Sequence, residues 1–232
     1  MKKVLFWILG IVAALCIAVL CVWGGELATF NCTSFQAAKA NGSGFLYGRN
    51  YDYFKNPTMV TISRPRKGYA SIGVSDMSHF GYSLDKLPES FASKLSCLAA
   101  IYAPVDGINE KGLCTSIMAL PKQPGDKFML VTNHLLSEKY YTTEPDEAVG
   151  NPHSKSWWRY QTAGDYLRAH DGTLTLEEAR ECLSLVHWKD LVWDNGTVED
   201  TQYSNVYDQS AITLDLRNWN DYDNPVAFSL AR

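Results

Sequence analysis

The sequence predicts an α+β domain in which strands flank a single block of helices. Three observations carry this expectation. Short β-branched or alternating apolar stretches recur from Ala28 to Thr132. Apolar spacing of helical period is confined to the region from Trp157 to Val186, and strand-like stretches resume at Gln202. A wound parallel sheet would instead alternate strand and helix along the whole chain. Apolar residues make up 46% and charged residues 20%, so a folded core is expected and wholesale disorder is not. The 232 residues are enough for one substantial domain, and no internal repeat is visible.

The elements follow in chain order. Lys2 and Lys3 precede an apolar run of 20 residues, Val4 to Trp23. At ~1.5 Å per residue such a run can cross a hydrocarbon core of ~30 Å, and it also fits a secretory signal. The two lysines place the amino end in the cytoplasm and the remainder outside it. Anchor and cleaved signal both stay open, and residues 1–31 are set apart from a domain over 32–232. Ala28 to Ala37 is the first strand, with Cys32 near its start. Asn41-Gly42-Ser43-Gly44 turns the chain into a strand at Phe45 to Arg49. Strands are expected at Thr58 to Ser63 and Tyr69 to Val74. Residues 84–96 are ambiguous, with a short helix after Pro88.

A hairpin is expected next, with arms Ala99 to Pro104 and Leu113 to Ala119 around the polar turn Asp106 to Gly112. A strand at Phe128 to Thr132 leads into the helical block. Trp157, Tyr160, Ala163 and Leu167 define one helix over 157–170. Thr175 with Glu178 forms a capping-box pattern that starts the second, through Ala179, Cys182, Leu183 and Val186. Strands at Gln202 to Tyr207, Ala211 to Leu216 and Val226 to Leu230 close the chain, the first two joined through Asp208-Gln209-Ser210.

Charge narrows the partners. The formal net charge is −4; without residues 1–31 the chain keeps 19 basic and 24 acidic residues, a net −5. No basic stripe is present, which argues against nucleic acid. Cys32, Cys97, Cys114 and Cys182 lack CxxC spacing, and His79, His134, His153, His170 and His187 lack metal-ligand spacing, so no metal or other cofactor is expected. Cys97 and Cys114 are open to pairing outside the cytoplasm, and equally to burial as free thiols.

Cys32 is the first candidate for chemistry. Arg49 and Asp52 follow it at 17 and 20 residues, within Gly48-Arg49-Asn50-Tyr51-Asp52. Cleavage between Asn31 and Cys32 would put a thiol and a free α-amine on one residue. Their unperturbed pKa values, ~8.5 and ~7.7–8.0, leave neither fully activated at neutral pH. A guanidinium stabilises the thiolate, and a carboxylate orients the ammonium.

Six stretches in order carry a resemblance: Cys32-Thr33-Ser34-Phe35; Gly48 to Asp52; Asp106-Gly107-Ile108-Asn109-Glu110-Lys111-Gly112-Leu113; Val131-Thr132-Asn133-His134; Trp158-Arg159-Tyr160-Gln161; and Thr201 to Tyr207. Together the chain from Cys32 onward resembles the N-terminal-nucleophile (Ntn) hydrolases of linear amides related to choloylglycine hydrolase, penicillin V acylase and isopenicillin N acyltransferase. The resemblance implies an αββα sandwich that cleaves a linear amide C–N bond in a small N-acyl substrate, or transfers the acyl group. It implies Cys32 as nucleophile, Arg49 and Asp52 against its thiol and amine, Asn133 as the oxyanion donor and Arg159 as a further active-site arginine.

Two departures from the family stand out. Ala119 occupies the position of an oxyanion-contacting Asn in bile salt hydrolases, which argues against a bile-salt specialist. Only a short stretch separates Leu120 from Val131, so one helical layer is expected to be largely missing, leaving a sheet face for self-association. The second hypothesis that follows is a degenerate, membrane-tethered homologue that binds a ligand or partner without turnover.

Overall fold

The computed structural model describes residues 32–116, 127–132, 152–192, 196 and 198–230, with side chains at 152–155 and 157 excepted. It contains two sheets. The larger one is built on β1 (Thr33–Lys39), β2 (Phe45–Tyr53), β7 (Met129–Val131), β10 (Val198–Asp208), β11 (Thr213–Asn218) and β12 (Val226–Ser229). Their order is β12-β11-β10-β2-β1-β7. Two short strands join it: β8 (Thr173–Leu174) lies parallel to β1, and β9 (Leu191–Val192) antiparallel to β10. The smaller sheet has the order β3-β4-β5-β6, from β3 (Thr58–Ser63), β4 (Ser71–Asp76), β5 (Asp106–Asn109) and β6 (Cys114–Ser116).

The period-2 alternation of strand side chains explains the layers. On β2, Tyr47 and Tyr51 join Ile72 and Val74 of β4, Ile108 of β5 and Tyr203 and Tyr207 of β10 in one buried cluster between the sheets. Leu46 of β2 faces the other way, with Phe35, Ala37 and Val206, into a cluster closed by helices. Those helices are α2 (Pro152–Ala169) and α3 (Leu176–Leu185), following the six-residue α1 (Phe91–Ser96). Ala163, Leu167, Ala179, Cys182 and Leu183 supply the helical side of that cluster. Gly48 has a specific reason to be glycine: a Cβ there would lie 2.4 Å from the ring of its cross-strand partner Phe35.

The outer face of the smaller sheet carries α1 and the 3-10 turns Met77–Phe80 and Cys97–Tyr102. Met77, Cys97 and Ala100 pack there with Met59, and Ser75 donates to the Ala100 carbonyl at 3.1 Å. Phe91, Leu95, Leu98 and Tyr102 on this segment are exposed. Beside it lies a cleft of about 220 Å³, floored by Gly73 and Gly107 and lined by Thr61, Ser63, Asn109 and Thr115. No helix among the described residues is long and apolar enough to cross a membrane; residues 4–23 lie outside them.

The elements differ from expectation at several boundaries; α2 starts at Pro152, five residues before Trp157. The first hairpin arm, expected at 99–104, is a 3-10 turn, and the strand is instead Asp106–Asn109, within the stretch read as a turn. Its polar residues are compatible with a strand because the Asp106 carboxylate is paired inside the sandwich. The turn falls on 110–113, where the Asn109 side chain accepts from the N–H groups of Lys111 and Leu113 and Gly112 takes φ +77°. The first strand starts at Thr33 within the described residues, and β2 runs four residues beyond Arg49. Strand β10 starts at Val198, four residues before Gln202, because Glu199, Asp200 and Thr201 are buried instead of solvated. The four described cysteines are free; Cys97 packs outside the smaller sheet and Cys114 against the core between the sheets, so these two do not pair.

Candidate active site

The site lies at the end of the larger sheet where β1 begins. Cys32 immediately precedes β1, and the register pairs Thr33 with Asn50 and Ser34 with Arg49. A three-residue spacing places two strand residues on opposite faces. Arg49 accordingly points between the sheets, and Asp52 points toward the helices. Cys32 is at the strand end, within reach of both.

Arg49 Nη2 donates to Cys32 Sγ at 3.5 Å, and both residues are fully buried. The Arg49 guanidinium lies 5.4 Å from the centre of the Tyr51 ring, and Nε is 3.3 Å from Asp106 Oδ2. That second contact is an ion pair whose N–H is not aligned as a hydrogen bond. The backbone N–H of Asp52 also bonds to the Cys32 sulfur. Burial raises the Cys32 pKa above its ordinary value, and the Arg49 charge pulls against that rise. The thiol form is therefore favoured in this closed environment. Burial alone would lower the Arg49 pKa, but Cys32 and Asp106 beside it reverse the effect and raise it.

On the helix side, the Asp52 carboxylate accepts from Arg159 Nη1 at 2.6 Å and from Thr201 Oγ1 at 2.5 Å. Arg159 Nη1 also donates to Thr33 Oγ1 at 3.1 Å, and its guanidinium lies 4.7 Å from the Trp188 ring centre. Arg159 projects from the face of α2 that also carries Ala163 and Leu167, which explains how a charged side chain enters an apolar layer. Burial pushes the Asp52 pKa up to about 7, against the opposing pull of Arg159 and Thr201. The same burial lowers that of Arg159, with Asp52 opposing.

Four of the five candidate residues, Cys32, Arg49, Asp52 and Arg159, are brought together. Asn133 lies outside the described residues; Thr132, which precedes it, is buried beyond the end of β7, the strand beside β1. Sequence reading assigned no role to Thr201, Trp188, Asp106 or Tyr203. Thr201 reaches Asp52 because the β2–β10 register shifts between Thr201 and Tyr203. That irregularity puts Thr201 on the helix side while Tyr203 stays between the sheets. Asp106, Thr201 and Tyr203 all lie within the motif stretches, but pattern alone does not reveal which face a side chain takes. No group of three or more His, Cys, Asp or Glu side chains among the described residues is arranged to hold a metal ion.

The sequence matches no family model and no curated protein. The structure is similar to a crystal structure of a cysteine-to-alanine mutant of the conjugated bile acid hydrolase from Clostridium perfringens. The TM-score is 0.52 and the identity 11%, over 86% of this chain and 92% of that one. At that identity the likeness is one of fold alone. Because it spans 92% of the other chain, it does not establish the expected loss of a helical layer.

Proposed function

We propose that this chain is a cysteine amidohydrolase that cleaves a linear amide after Cys32 becomes the amino-terminal residue. The Arg49 contact on Cys32 Sγ carries the reading. It is supported by the fold shared with a hydrolase of conjugated bile acids and by the Asp52–Arg159 pair beside the same residue. In the first step the Cys32 thiolate attacks the amide carbonyl carbon. The C–N bond breaks, the amine leaves with a proton from the Cys32 ammonium, and a thioester remains. Water, deprotonated by the free α-amine, then cleaves the thioester to a carboxylic acid and restores the thiol. Attack by a second amine in place of water gives acyl transfer. Asn133 is assigned as the oxyanion donor by motif, a role worth ~3 kcal/mol in the transition state.

Cys32 is 0% exposed with its thiol form favoured, so its thiol and amine are not open for reaction in this arrangement. On this reading the uncut chain is an inactive precursor, and residues 1–31 are a signal or anchor that directs the domain out of the cytoplasm. Among the described residues α1 is the one α-helix on the outer face of the smaller sheet, and it is six residues long, which supports a reduced helical layer there.

Intact-mass measurement of the purified protein is expected to give a chain beginning at Cys32. That chain should hydrolyse at least one member of a panel of N-acyl amino acids, penicillin V and conjugated bile acids, and Cys32→Ala should abolish turnover. Retention of Asn31 overturns the free-amine mechanism. A homologue that binds without turnover is the competing reading, favoured by the same burial of Cys32. It predicts ligand-induced stabilisation from the panel with no product formed.

A further inference from the structure

Four side chains of the larger sheet converge on one carboxylate of the smaller. Tyr203 Oη donates to Asp106 Oδ2 at 2.7 Å, Asn205 Nδ2 to Oδ1 at 2.9 Å, and Tyr207 Oη to the same Oδ1. Arg49 completes the set through its ion pair. All five residues are essentially fully buried. Burial, with the Asp106 charge beside them, raises both tyrosine pKa values well above the ordinary one, so both phenols stay protonated as donors.

We propose that Asp106 is a positioning residue for the nucleophile, holding the Arg49 guanidinium against Cys32 Sγ while Tyr203, Tyr207 and Asn205 hold Asp106. The inference rests on Cys32 being the reactive group. Arg49 has few other restraints. Its Nη2 meets the sulfur, its Nη1 makes no hydrogen bond among the described residues, and Tyr51 supplies a ring face without a fixed direction. A guanidinium on a long side chain keeps one orientation only when its fork is anchored. Asp106 is the anchor on the Nε side, and three donors fix the anchor itself.

The charged groups around Cys32 give the idea a sign. Arg49, Asp52 and Arg159 act on the thiol directly, with Arg49 the strongest of the three. Tyr47 and Tyr51 of β2 and Tyr203 of β10 border the same guanidinium or sulfur, Asp76 of β4 binds the Tyr51 hydroxyl, and Glu199 acts on Asp52 and Arg159. Asp106 acts on Arg49. If it worked only as a nearby negative charge, removing it would favour the thiolate. If it works by holding Arg49, removing it disfavours the thiolate. The two roles move the Cys32 titration in opposite directions.

The test uses the purified protein as it is isolated, labelled with ¹³Cβ-cysteine, with the Cys32 resonance assigned by its loss in Cys32→Ala. Asp106→Asn is expected to raise the Cys32 titration midpoint by about one pH unit, a roughly ten-fold lower thiolate fraction at a given pH. Tyr203→Phe removes one donor and keeps the ring stacked on Tyr51 at 5.1 Å, and it is expected to give a smaller rise. It also stands as the deciding variant should Asp106→Asn fail to fold. A rise supports the proposal. An unchanged or lowered midpoint in the folded variants overturns it, leaving Asp106 as a tie between sheets or a countercharge. The titration needs no turnover, so failure of the amidohydrolase reading is seen separately, in the mass and substrate measurements.

Discussion

Arg49 and Asp52 lie on opposite faces of the larger sheet beside Cys32 because a strand alternates its faces. Arg49 reaches the sulfur from between the sheets, and Asp52 meets Arg159 on the helix side. The chemical consequence is clearest for Asp52, whose folded pKa of about 7 stands above its unperturbed 3.8. Below 3.8 the carboxyl is neutral whether the chain is folded or not. Between 3.8 and about 7 the unfolded chain releases this proton and the folded chain keeps it, so this group's contribution to stability is lost as pH rises through that window. Urea denaturation from pH 4 to 8 should therefore show wild type losing stability relative to Asp52→Asn, by on the order of 3 kcal/mol across the window. A flat difference between the two proteins would contradict the buried-carboxyl account. That Cys32, Arg49 and Asp52 belong together was legible from the ordered motifs that carry the family resemblance, since the spacing of Arg49 and Asp52 alone fits an ordinary turn ion pair equally well. The partner roles of Thr201 and Trp188 were not legible, because a threonine hydroxyl or a tryptophan ring carries no signal of what lies across the fold from it.

Among the elements, α3 was the most legible because its start is encoded locally. Thr175 Oγ1 accepts from the Glu178 N–H at 3.2 Å, and Glu178 Oε2 accepts from the Thr175 N–H at 2.7 Å. Thr175→Ala should lower stability by about 1 kcal/mol in thermal or urea unfolding and leave the Cys32 titration unmoved, since the cap is exposed and remote from the sulfur. Helix α2 shows the limit of such reading. Apolar periodicity located it, but the same face also carries Arg159, and its pairing with Asp52 and Thr33 on the sheet helps make burial of that charge tolerable. β5 departs from expectation for a related reason. Asp106 looks like a turn residue by composition, and becomes a strand residue because Tyr203, Tyr207, Asn205 and Arg49 receive its carboxylate.

For the whole molecule, the layer order predicts which substitutions the fold feels. Val74 and Ile108 face the interior between the sheets, whereas Thr61 and Thr115 of the smaller sheet line its outer cleft. Val74→Ala and Ile108→Ala should each cost about 2–4 kcal/mol, whereas Thr61→Ala and Thr115→Ala should stay within about 0.5 kcal/mol. Equal costs on both faces would mean that the outer face is as buried as the inner. The sequence by itself pointed to an α+β chain, to the helical block and to most strands, and its motifs marked Cys32, Arg49, Asp52 and Arg159, which the fold brings together. Those properties are written in periodicity, caps and ordered motifs, which act over a few residues at a time. The tertiary structure alone decided that Asp106 belongs with Arg49, that Thr201 belongs with Asp52, and that Cys97 and Cys114 lie apart. Each of these depends on which face of a sheet a side chain takes and what stands opposite, and no local pattern encodes a partner a hundred residues away.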